Sequence, residues 1–204
     1  VCANSLLEMP FSENSFDVVI GNPPYVRQEM IKEIKPQLQE KYITYTSTSD
    51  LYVYFYELSY RLLKQNGLNG FICSNKFFRA KYGEVLRDLI LKEMTIKTIV
   101  DFTGKKVFED ATADSAITIF EKSKSNNNSF NVVSKELDNS YEMKQSDLTK
   151  FYFALYIGDL NLINETLKEI IIVSSDWGPN IFKFRYGNFT SASYSGFIIP
   201  FLPY

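Results

Sequence analysis

Phe16-Asp17-Val18-Val19-Ile20-Gly21-Asn22-Pro23-Pro24-Tyr25 is the stretch from which the rest of the chain is read. A short apolar run stops at a glycine and then meets two prolines, which cannot continue a hydrogen-bonded ladder. The run predicts a buried parallel strand over residues 16–20 that ends in a turn. In open α/β sheets ligands sit beyond the carboxyl ends of the strands, where this turn would lie.

Outward from that turn, residues 26–49 are polar and irregular, with Pro36 expected to interrupt any helix. A helix is predicted near 50–64, capped by Asp50 and stopped by Asn66-Gly67, with Leu51, Phe55, Leu58 and Leu62 at helical spacing. A strand near 68–74, a polar loop over 75–82 and a helix over 83–93 follow, then strands near 96–102 and 115–121. This order belongs to an open α/β sheet. Such folds open with a strand and a phosphate- or ribose-binding turn, and nothing before Phe16 has room for one, so an N-terminal part is expected to be missing. The Ser123–Ser129 run reads as a hinge. Short strands at 130–133 and 141–144 and a helix near 159–171 are expected beyond it.

The turn itself suggests a chemistry. A planar amino or amide nitrogen is a poor nucleophile, because its lone pair is delocalised into the ring or carbonyl. The Asn22 side-chain oxygen and a backbone carbonyl from the prolines can accept both of its N–H bonds and favour a pyramidal nitrogen. Tyr25 would stack on the ring, contributing roughly 1–3 kcal/mol, comparable with the few kcal/mol needed to extract a base from a duplex.

Composition narrows the alternatives. The chain has 204 residues, 45% hydrophobic and 23% charged, enough for one ordinary domain with a core. Net charge is -2, so a nucleic-acid partner would have to be met by local clusters. With no His and only Cys2 and Cys73, a zinc set, a Ser-His triad and a disulfide framework are excluded. Two cysteines fit a reducing cytoplasm. Cys73 reads as a small core residue, and no Pro-Cys pair offers a nucleophile for cytosine-C5 chemistry. No apolar run reaches the roughly 20 residues of a membrane span.

Phe16–Tyr25, FDVVIGNPPY, resembles the catalytic motif of adenine-N6 DNA methyltransferases of restriction–modification systems, and its surroundings resemble the gamma, TaqI-type class. LYVYFYELSYRLLKQNGLNGFICSNKFFRA is similar to that family's helix–turn–strand, and Gly104–Phe108 with Ser115–Phe120 to the segment that delivers a second stacking aromatic. The resemblance covers residues 1–122 and implies a partial Rossmann-like sheet with helices on both faces, followed by a small α+β segment. It divides the chain into a C-terminal part of the catalytic domain (1–124) and a connecting segment that starts a target-recognition domain (130–204).

The resemblance also implies roles. Asn22 and the Pro23 carbonyl would hold the target amino group, and Tyr25 and Phe108 would face the flipped adenine from two sides. Asn4, Ser5 and Pro24 would line the site for S-adenosylmethionine. Lys76, Arg79, Lys105 and Lys106, with Lys81, fall in loops that should open beside Asn22 and meet the phosphates of double-stranded DNA. The family's upstream glycine-rich motif and ribose-binding acid are absent from these residues. Two alternatives remain open: a protein glutamine methyltransferase, which uses the same tetrapeptide on a planar amide, and a non-catalytic DNA-binding or interaction remnant.

Overall fold

The computed structural model describes residues 4–108, 114–125, 127–133, 137, 140–153, 155, 171–174 and 182–185. Two compact units divide the chain, Val1–Leu155 and Tyr156–Leu202. In the first, six strands form one mixed sheet: β1 (Phe16–Gly21), β2 (Leu63–Ser74), β3 (Thr95–Asp101), β4 (Ser115–Glu121), β5 (Ser129–Val133) and β6 (Ser140–Lys144). Their order across the sheet is β1-β2-β4-β3-β5-β6. β1 and β2 are parallel, as are β3 and β5, and β4 runs antiparallel between β2 and β3. The carboxyl ends of β1, β2 and β3 therefore share one edge with the amino end of β4. Among the described residues this unit also has three α-helices, α1 (Lys35–Lys41), α2 (Tyr52–Leu62) and α3 (Glu84–Glu93). In the second unit, β7 (Ile171–Ser174) and β8 (Phe182–Arg185) form an antiparallel pair.

The Rossmann-like fold stands, with its core on one side of the sheet. Tyr52, Val53 and Tyr56 of α2 and Leu86, Leu89 and Ile90 of α3 bury against Phe71, Cys73, Ile96, Ile99, Ala116 and Phe120. The strand register puts those sheet residues on one face. A second cluster joins Leu6, Ile31, Leu38 and Tyr42 to Tyr54, Leu58 and Leu62 on another side of α2. Nearly every side of α2 is thus apolar and buried, as for a helix packed on more than one flank.

Several expectations need correction. β1 is parallel but not buried: among the described residues it pairs only with β2, and Val18 and Ile20 on its outer face are 55% and 82% exposed. Pro36 does not break the 26–49 excursion. It sits in the first turn of α1, where a missing N–H costs nothing. Asp50 does not cap α2; Leu51 occupies that position, and no side chain caps it. The helix ends at Leu62, before Asn66-Gly67, and Asn66 takes a positive φ of 63° within β2. The sheet also continues past residue 124, because β5 bonds to β3 through Thr98, Ile99 and Val100. The Ser/Asn-rich run is the loop between β4 and β5. Buried Gln145 fastens that end by accepting the Ile96 N–H and donating to the Met94 carbonyl, each at 2.8 Å. The helix expected at 159–171 lies outside the described residues, apart from Ile171 at the start of β7.

Candidate active site

At the carboxyl end of β1 the chain leaves the sheet as Asn22-Pro23-Pro24-Tyr25. Pro23 is buried, Asn22 and Pro24 are exposed, and Tyr25 is half-buried. Prolines fix φ near -65° and offer no competing donor, so the turn is stiff. Asn22 makes no side-chain hydrogen bond among the described residues, which leaves its amide oxygen available. The Tyr25 ring packs against the main core, and among the described residues its buried hydroxyl has no partner within normal hydrogen-bond geometry. Burial raises the Tyr25 phenol above its ordinary value, with Ser115 working the other way and Cys73 adding slightly.

Phe108 reaches the same place from the loop after β3. Its ring meets Tyr25 edge-on, with centroids 6.3 Å apart and planes at 80°. A flat base held between two rings needs about twice a 3.5 Å contact, so the pair must part slightly and turn to admit one. The two aromatics expected to flank a base are brought together, although 83 positions separate them in sequence.

The basic residues stand on the same edge. Lys76 and Arg79 are exposed in the loop after β2, and Lys105 and Lys106 are exposed in the loop after β3. A buried clasp joins the loops: Asn75 donates to Asp101 and to the Thr103 hydroxyl, both at 2.8 Å, and Arg79 donates to Thr103 at 3.0 Å. The Asp101 carboxylate also accepts the Thr103 N–H at 3.1 Å. Neither Asn75 nor Asp101 stands out in the sequence; a polar residue at the carboxyl end of each strand was the available signal.

Asn4 is exposed and Ser5 half-buried in a turn. The Asn4 side-chain oxygen accepts the Leu6 N–H at 3.1 Å, and its backbone carbonyl accepts from Leu7 and Glu8. Tyr42 and Lys41 hold that turn through the Leu6 and Leu7 carbonyls. An amide oxygen has two lone pairs, so Asn4 keeps one for a ligand. β1 is an edge strand of the sheet among the described residues.

Another buried group shapes the loop after β2. The Arg87 guanidinium donates to the carbonyls of Phe77, Ala80, Lys150 and Phe151, and burial lowers it to about 10. Cys73 is buried beside the Tyr56 hydroxyl, as expected of a core residue, and burial pushes its thiol up to about 12. Among the described residues no group of His, Cys, Asp and Glu could hold a metal ion, and no helix is long and apolar enough to cross a membrane.

Residues 3–108 match the family described as Eco57I restriction-modification methylase. The chain belongs to that family. It is similar to the type II methyltransferase M.BstVI of Geobacillus stearothermophilus, 41% identical over 52% of this chain and 19% of that protein. It also resembles M.XhoI of Xanthomonas vasicola, 35% identical over 54% of this chain and 21% of the relative. RM.Eco57I of Escherichia coli, a restriction enzyme and methyltransferase, is 29% identical over 79% of this chain and 15% of its own length. The chain thus spans about a fifth of the first two relatives. The type IIG restriction endonuclease BpuSI superposes with a TM-score of 0.53 at 16% identity, over 76% of this chain and 23% of that one, a likeness of fold.

Proposed function

We propose that this chain is the catalytic part of an adenine-N6 DNA methyltransferase of a restriction–modification system. The observation that carries the proposal is the approach of Tyr25 and Phe108 beside the free amide of Asn22. Asn22 and the Pro23 carbonyl would accept the two N–H bonds of the flipped adenine and turn its lone pair outward. Tyr25 and Phe108 would take the ring faces, offsetting the few kcal/mol that unstacking costs. Lys76, Arg79, Lys105 and Lys106 would hold the phosphates of double-stranded DNA, replacing the global positive charge that the chain lacks. S-adenosylmethionine, with Asn4, Ser5 and Pro24 on one side of it, would supply the methyl group. The methyltransferase family favours DNA over a protein glutamine as acceptor.

The rest of the same protein is the partner this reading needs. A strand on the open edge of β1 and a helix over Val18 and Ile20 would complete the sheet and the cofactor site. Residues beyond the first unit would begin the target-recognition domain.

Full-length protein incubated with labelled S-adenosylmethionine and unmethylated duplex DNA should yield N6-methyladenine after digestion to nucleosides, and Asn22→Ala should abolish it. Methyl groups recovered on cytosine, on a release-factor glutamine, or nowhere would overturn the proposal.

A further inference from the structure

Just after Tyr25 the chain enters a 3-10 turn at Gln28–Ile34, and two contacts fix that exit to the start of α2. Leu51 donates its N–H to the Val26 carbonyl at 3.0 Å. Asp50 accepts the Gln28 N–H on one carboxylate oxygen at 3.1 Å. The other oxygen accepts the Tyr82 hydroxyl at 3.3 Å, and Tyr82 shares a 2.8 Å hydrogen bond with Tyr52. Tyr82 belongs to the loop after β2, the loop that carries Lys76 and Arg79. Both carboxylate oxygens are thus committed to partners far along the chain, and neither serves the amino end of α2.

We infer that Asp50 is a positioning residue for methyl transfer: its carboxylate locks the exit of the Asn22–Tyr25 turn to the basic loop, so that base acceptors and phosphate contacts keep one spacing. The inference rests on residues 22–25 being the catalytic turn. Asp50 touches neither base nor cofactor in this role. It acts through geometry, and a misplacement of about 1 Å can cost about 10²-fold in rate.

Gln28 offers a second way to cut the same bond. It opens the 3-10 turn, and Arg27 before it is extended (φ -70°, ψ 150°), the conformation a following proline requires. Gln28→Pro therefore removes the N–H and leaves Asp50 in place. Gln28→Ala is its reference, since the Gln28 side chain separately bonds Lys35.

In the full-length protein, Asp50→Ala should lower kcat roughly 10- to 100-fold while KM for DNA and for cofactor stays within about threefold. Gln28→Pro should show the same split relative to Gln28→Ala. Asp50→Asn keeps an oxygen for the Gln28 N–H and an amide for Tyr82, and should stay within about threefold of the parent kcat. The inference fails if Asp50→Ala and Gln28→Pro keep full kcat, if the loss lies in KM alone, or if Asp50→Asn falls as far as Asp50→Ala. Should Asp50→Ala not fold, the Gln28 pair decides. Asn22→Ala, assayed alongside, separates the two levels: an active Asn22→Ala sinks the catalytic turn, whereas an inactive one beside a fully active Asp50→Ala sinks only the role of Asp50.

Discussion

Replacing Arg87 with Met keeps most of the side-chain volume and removes the charge, so it isolates what the guanidinium does. Its four acceptors come from two segments: Phe77 and Ala80 in the loop after β2, and Lys150 and Phe151 near the end of the first unit. Lys150 and Phe151 are exposed, so water can replace the lost donors there; Phe77 is buried and Ala80 half-buried. About two charge-assisted hydrogen bonds are then lost outright, at about 1.5–3 kcal/mol each. Arg87→Met should therefore destabilise the first unit by about 3–6 kcal/mol. Urea denaturation followed by circular dichroism measures this as a lower midpoint with an unchanged slope. Arg87→Lys should recover part of the loss, since one ammonium cannot span both segments. A loss below about 1 kcal/mol for Arg87→Met would refute the reasoning, because the buried carbonyls would then have found other donors.

Gly83→Ala should destabilise the same loop by about 2 kcal/mol, because a Cβ there would overlap the Phe77 carbonyl and lie 2.7 Å from Arg87 Nη1; combined with Arg87→Met, its cost should be less than additive. Burial holds the Tyr42 phenol up at about 12 and raises Tyr52, Tyr54, Tyr56 and Tyr82 as well. Below the ordinary phenol value near 10 both states are neutral. Above it the unfolded chain loses protons that the folded chain keeps, so stability falls as pH rises toward 12; tyrosinate absorbance should lag a free-tyrosine titration and then rise with unfolding. Cys73, its thiol pushed up to about 12, should resist thiol reagents near neutral pH and react only in denaturant. Phe108→Ala in the full-length protein should weaken base capture by about 1–3 kcal/mol, read as reduced fluorescence of an extruded 2-aminopurine at the target position.

The sequence was most informative where local chemistry fixes local structure. An apolar run ended by two prolines marked both β1 and the turn beyond it, and the aromatic after those prolines does meet Phe108 in space. Position 36 misled because proline forbids a helix interior yet favours a helix start, and composition does not say which applies. Asp50 misled for a related reason: an aspartate before an apolar helix reads as a cap, and its actual partners at 28 and 82 lie outside any local window. Arg87 gave no signal, since its acceptors are backbone carbonyls, which every residue has. The place of β5 in the sheet was equally hidden, because strand pairing across Thr98 and Asn131 depends on topology and not on either segment alone.

The position of β4 bears on how the chain comes to its folded state. The strand that joins β2 to β3 is the last of the three in sequence, so the halves of the sheet have no ladder hydrogen bonds to each other until residues 115–121 arrive. Ordering is then governed by closure of long loops, a slow and late event compared with formation of α2 or α3. A polypeptide cut before Ser115 would carry Asn22, Tyr25 and Asn75 on one half and Asp101 on the other, with no ladder to bring them into register.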